Sequence, residues 1–80
     1  MIHELKTWPE YFEEVFMGRK TFEVRKADRP FSKGDTLILK EWDVNNGQYS
    51  GREIARTITY ILEGGQIAGV NIGFVVMSIQ

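Results

Sequence analysis

One segment of this 80-residue chain has helical spacing, and every other patterned segment alternates. Trp8, Phe12, Val15 and Phe16 recur along one helix face, while Glu10, Glu13 and Glu14 lie largely on others. Thr7-Trp8-Pro9-Glu10 fits a capping box, in which Thr7 accepts from the Glu10 N–H and Glu10 reaches back. Pro9 falls in the first turn, where a missing N–H costs nothing. Gly18 follows the last periodic residue and suits the left-handed position that ends a helix. The expected helix runs from about residue 8 to 17.

The other segments read as strands: Ile2–Lys6, Thr21–Lys26, Thr36–Asp43, Ile54–Leu62 and Phe74–Ile79. In Thr21–Lys26, alternation sets Phe22 and Val24 on one face and Thr21, Glu23 and Arg25 on the other; the apolar pair is expected to enter the core. Residues 27–34 form a loop, with Pro30 blocking a ladder bond and Gly34-Asp35 turning the chain. Asn46-Gly47 is a hairpin signal, and Gly64, Gly65, Gly69 and Gly73 punctuate a loose connection. With one helix to cover five strands, the sheet is expected to curl: an α+β chain, mainly β, forming a small β-barrel with one N-terminal helix as a single domain over residues 1–80.

Composition narrows the function classes. The chain has no cysteine, which excludes disulfides, thiolate metal sites and cysteine nucleophiles, and favours a reducing compartment. No basic leader and no long apolar run is seen, so a cytoplasmic protein without membrane spans is expected. His3 is the single histidine, so no metal site and no Ser-His-Asp set can be argued. Phosphate-loop and dinucleotide fingerprints are missing, and no cofactor is implied.

Net charge is −1, but its distribution is uneven. Residues 19–33 hold Arg19, Lys20, Arg25, Lys26, Arg29 and Lys33 against Glu23 and Asp28, a local +4 that leaves −5 on the rest. A basic segment in an acidic chain points to an anionic ligand there. Lys20, Glu23 and Arg25 converge near the end of the helix and can hold a polar ligand by charge-assisted hydrogen bonds. The plainer alternative is a surface ladder in which Glu23 bridges Lys20 and Arg25. Trp8 and Trp42 are candidates to stack on an unpaired base, against the alternative of core packing.

Gly18-x-Lys20-x-x-Glu23-x-Arg25 resembles the signature of the ASCH domains, of the PUA-like superfamily. The similarity is closer to the small bacterial and phage branch designated DUF3850, through His3-x-Leu5-Lys6, Asp28-Arg29-x-Phe31, Gly34-Asp35, Glu41-Trp42-Asp43 and Tyr49-x-Gly51-Arg52. Ala27 stands where an Asn is expected before Asp28-Arg29, and residues 66–73 are looser than the pattern.

The resemblance implies a PUA-like barrel with a cleft between helix and barrel that binds RNA, a nucleotide or a nucleoside. It brings His3, Lys6 and Asp28 into the candidate ligand-binding set, beside Trp8, Lys20, Glu23, Arg25, Lys26, Arg29 and Trp42. One enzymatic branch uses a Lys, a Thr and a Glu to hydrolyse the amide of N4-acetylcytidine. Lys20 matches that Lys, and Glu23 stands where its Thr falls. An amidohydrolase with Lys20 as nucleophile or base, activated by Arg19 and Arg25, and Glu23 as proton shuttle is therefore the second reading. A third is a protein-interaction module.

Overall fold

The computed structural model describes residues 1–80 as five strands and one helix. They are β1 (Ile2–Thr7), α1 (Pro9–Phe16), β2 (Phe22–Lys26), β3 (Thr36–Asp43), β4 (Gln48–Glu63) and β5 (Phe74–Ile79). The strands form one mixed sheet in the order β1-β3-β4-β5-β2. Only β1 and β3 run parallel; the other neighbours are antiparallel. No helix is long and apolar enough to cross a membrane.

β4 is longer than its alternating stretch because it serves two halves of the sheet. Gln48–Thr57 pairs with β3, and Ile58–Glu63 pairs with β5. Register shifts interrupt the first ladder opposite Lys40–Trp42 and the second at Ile58–Tyr60. Such bulges bend a strand and raise its twist, which folds one half of the sheet toward the other.

The curl stops short of closure. β1 and β2 are the two edges, and no ladder joins them, so the barrel expected from the sequence is here an open sheet. Side chains span the gap instead: Arg25 Nη2 donates to Thr7 Oγ1 at 3.2 Å, and Arg29 Nη1 to the Glu4 carbonyl at 3.3 Å.

The core draws on Leu5, Phe12, Val15, Leu37, Leu39, Ile54, Ile58, Val75, Met77 and Ile79. Burying such side chains is worth about 1.5–3 kcal/mol each, before ordering costs. β2 supplies none of them. Its alternation is as expected but its faces are reversed: Glu23 is buried, whereas Phe22 and Val24 are about half exposed.

The helix starts without the expected capping box. Trp8 is the N-cap residue and no side chain caps the helix. Thr7 is instead the last residue of β1, paired with Glu41, and its hydroxyl is committed to the Leu5 carbonyl and to Arg25. At the other end Gly18 takes φ +76°. Gly18, Arg19 and Lys20 return their N–H groups to the carbonyls of Val15 and Glu14, which satisfies the open end of the helix. Phe12 and Val15 face the core; Trp8 and Phe16 do not.

Asp35 ties the start of β1 to the turn before β3. Its Oδ2 meets His3 Nε2 at 2.8 Å and the Ser32 N–H at 3.0 Å, and its Oδ1 the N-terminal amine at 3.0 Å. The His3 hydrogen bond, then that of the amine, hold this carboxyl down at about 2 rather than its ordinary 3.8. A depressed carboxyl contributes stability above its unfolded value and loses it as pH falls toward the folded value. Stability is therefore expected to drop between about pH 4 and pH 2. Urea midpoints across that range check this. Asp35→Asn is less stable at pH 6 and has a shallower acid limb, with Asp43 and Glu14, also lowered by hydrogen bonds, supplying the rest.

Candidate functional site

Where the sheet fails to close, a cavity of about 520 Å³ opens between the end of β1, the first turn of α1 and the edge of β2. The topology explains it. β1 leads into the helix and the helix returns the chain through Gly18 into β2, so both edges and the helix start meet at one place.

The floor is charged. Glu23 is 3% exposed and accepts from Lys20 Nζ at 2.7 Å on Oε1 and from Arg25 Nε at 2.9 Å on Oε2. Lys20 Nζ also donates to the Phe22 carbonyl at 2.7 Å. Two cations around one carboxylate leave a net +1, and Thr7 adds a hydroxyl at the rim. A buried carboxylate is tolerated because both of its oxygens are paired. The bridge expected as a solvated ladder is thus formed, but it is buried. Arg19, expected beside Lys20, turns back to Glu14 in a two-point ion pair at 2.9 and 3.0 Å.

The walls are aromatic and apolar. Trp8 and Tyr11 stack with centroids 6.3 Å apart and planes 21° apart. Trp8 is 50% exposed, Tyr11 49%. Phe22 and Val24 line the cavity from β2, and Lys6 from β1. Flat aromatic walls over a hydrogen-bonding, net cationic floor suit a planar polar heterocycle better than an aliphatic ligand.

The expected residues fall into three places. Lys6, Trp8, Lys20, Glu23 and Arg25 line this cavity. Lys26, Asp28 and Arg29 line a second cavity of about 220 Å³, with Leu5 and Phe31, and Arg25 belongs to both. His3 and Trp42 lie in neither. His3 is buried against Asp35, its ring 4.7 Å from Phe31. Trp42 packs edge-on to Tyr49 at 4.8 Å, with Lys6 Nζ 4.0 Å over its ring. No three His, Asp or Glu side chains gather into a metal-ligand set.

Sequence reasoning missed Thr7, Tyr11, Phe22 and Val24 as lining residues. Tyr11 had a signal, since it lies one turn on from Trp8. Phe22 and Val24 had none, because alternation gives two faces without saying which one is buried.

A family model described as "Domain of unknown function (DUF3850)" matches residues 2–79. A curated relative, an uncharacterized 12.9 kDa protein of the GpA 3′ region of Escherichia phage P2, is 44% identical over 62 residues. That match covers 78% of this chain and 55% of the phage protein, so the chain spans about half the length of this relative.

Removing Glu23 would leave two cations facing each other over a buried floor. Glu23→Ala is expected to lower unfolding free energy by about 2–3 kcal/mol, less than for a fully buried pair because Lys20 and Arg25 keep some contact with water. Glu23→Gln, which keeps the shape and one acceptor, loses less. Urea unfolding of the three proteins orders them wild type, Gln, Ala.

Proposed function

The chain belongs to the DUF3850 family, and we propose that it is a binding domain for a nucleobase-bearing ligand, single-stranded RNA or a free nucleotide or nucleoside, held in the cleft between β1, α1 and β2. The observation that carries this reading is the pairing of the half-exposed Trp8–Tyr11 stack with the Lys20–Glu23–Arg25 floor in one cavity. An unpaired base offers a π face to the aromatic wall and ring nitrogens and carbonyls to the charged groups. Lys6 and Arg25 give the mouth the positive charge that attracts a phosphate-bearing chain. The resemblance of Gly18-x-Lys20-x-x-Glu23-x-Arg25 to the ASCH and PUA-like signature supports this reading. A cytoplasmic location goes with it too, supported by the absence of cysteine.

A second reading is favoured by one specific feature. The cavity gathers a lysine, a carboxylate and, in Thr7, a hydroxyl, the three group types used by the enzymatic branch that deacylates N4-acetylcytidine. There, water and the acetylated base would give cytidine and acetate. Lys20 donates to two oxygens, so it would first have to be released from Glu23 to act as nucleophile.

A Trp42→Phe background leaves Trp8 as the one fluorescent indole. Titration with short single-stranded RNAs and with free nucleosides is expected to quench it saturably, and more weakly in high salt for RNA. Trp8→Ala, followed by NMR, is expected to cost about 1–3 kcal/mol of binding, the worth of one stacked base. Unchanged Trp8 emission with every RNA and nucleoside would overturn the binding reading. Release of acetate from N4-acetylcytidine, abolished by Lys20→Ala, would replace it with the enzymatic one.

A further inference from the structure

Arg25 is the wall between the two cavities, and its hydrogen bonding is lopsided. Nε is held by Glu23 and Nη2 by Thr7, while Nη1 has no partner within the chain. No buried side-chain nitrogen or oxygen lacks a partner, so this unpaired group is open to solvent. The smaller cavity on its other side holds two more cations. The Lys26 side chain makes no ion pair or hydrogen bond, and Arg29 reaches the Glu4 carbonyl through Nη1 and Asp28 through Nε at 3.7 Å, leaving Nη2 free. Lys26 and Arg29 against Asp28 add a net +1 beside the Glu23-paired Arg25, over a floor of Leu5 and Phe31. Asp28 is 65% exposed and lies 3.7 Å from Arg29 Nε.

The two cavities thus differ in chemistry and share one guanidinium. The larger is aromatic-walled, and two of its three cations, Lys20 and Arg25, are already spent on Glu23. The smaller has unspent donors and no aromatic stack. We propose that the smaller cavity is a phosphate subsite, taking the phosphate ester of the nucleoside whose base occupies the larger one. Arg25, anchored by Glu23 and Thr7, spans the two and sets their spacing. Nη1 of Arg25, Nζ of Lys26 and Nη2 of Arg29 donate to the phosphate oxygens, the charge-assisted geometry in which guanidinium groups bind phosphate best. This assignment rests on the base-binding reading above and adds the ligand class: a nucleoside phosphate, as monoester or as one link of an RNA chain.

The test uses the full chain, ¹⁵N-labelled, titrated with the four ribonucleosides, their 5′- and 3′-monophosphates, the matching dinucleotides and inorganic phosphate. Nucleosides are expected to shift the Trp8 indole N–H alone. One series of monophosphates shifts it together with the backbone amides of residues 26–29 and 31, and binds about ten-fold tighter or more, as a new charge-assisted contact would give. Dinucleotides as tight as the monophosphate identify an RNA link; monophosphates alone identify a free nucleotide. Lys26→Ala removes no side-chain hydrogen bond or ion pair of the fold and is expected to bring the monophosphate to the affinity of the nucleoside, without changing the nucleoside itself. Lys26→Glu drives the monophosphate below the nucleoside. Equal affinity for nucleoside and monophosphates, both shifting Trp8, overturns the phosphate subsite and leaves the base cleft standing. Loss of both ligands alike in Lys26→Ala overturns it too. No shift at Trp8 with any ligand overturns the base-binding reading and the subsite with it.

Discussion

Glu23 is the sole buried side chain of β2, and it is charged. Everything around the cleft follows from how that charge is held. A carboxylate out of water needs both oxygens satisfied, and only two local cations reach them, Lys20 from before the strand and Arg25 from two residues on. That commits Lys20 to the strand mouth and Arg25 to the inner face, turns Phe22 and Val24 outward, and keeps β2 from packing an apolar row against β1. The edge strands stay apart, and the space between them becomes the cavity. In an apolar version of β2 the same sheet would have a reason to close.

The sequence made the elements legible and left their orientation undecided. The helix, the turn at Gly18 and the bounds of β3 and β5 follow from periodicity and local chemistry that compete with nothing else. The reversal of β2 was not legible, because alternation is symmetric until something names the wet face. The capping box at Thr7 failed because a ladder partner and Arg25 claimed the same residue, and neither is near it in sequence. β4 ran six residues further back than its alternating core, since the register shift near Gly51 breaks the period while the pairing continues.

Of the candidate residues, those at the centre of the pattern lie together in the larger cavity, and those at its margins are dispersed. Lys20, Glu23 and Arg25 are contiguous in pattern and contiguous in space. His3 and Trp42 entered through resemblance and aromatic character, and both are occupied elsewhere: one under Asp35, one between Tyr49 and Lys6. His3 and Lys6 belong to the same strand three residues apart, yet they serve opposite ends of it, a fastening at the turn and a charge at the cleft mouth.

The gap between β1 and β2 is crossed by side chains and not by a ladder. Ladder spacing is fixed by backbone geometry at close to five ångströms and admits no tuning. A gap spanned by Thr7, Arg25 and Arg29 has a width that substitution can reset, one residue at a time, with every strand pairing left intact. The aperture can therefore vary independently of the scaffold. The width of the opening can be reset at a few positions on β1, on β2 and in the loop that follows β2, while the core that keeps the chain folded has no need to change.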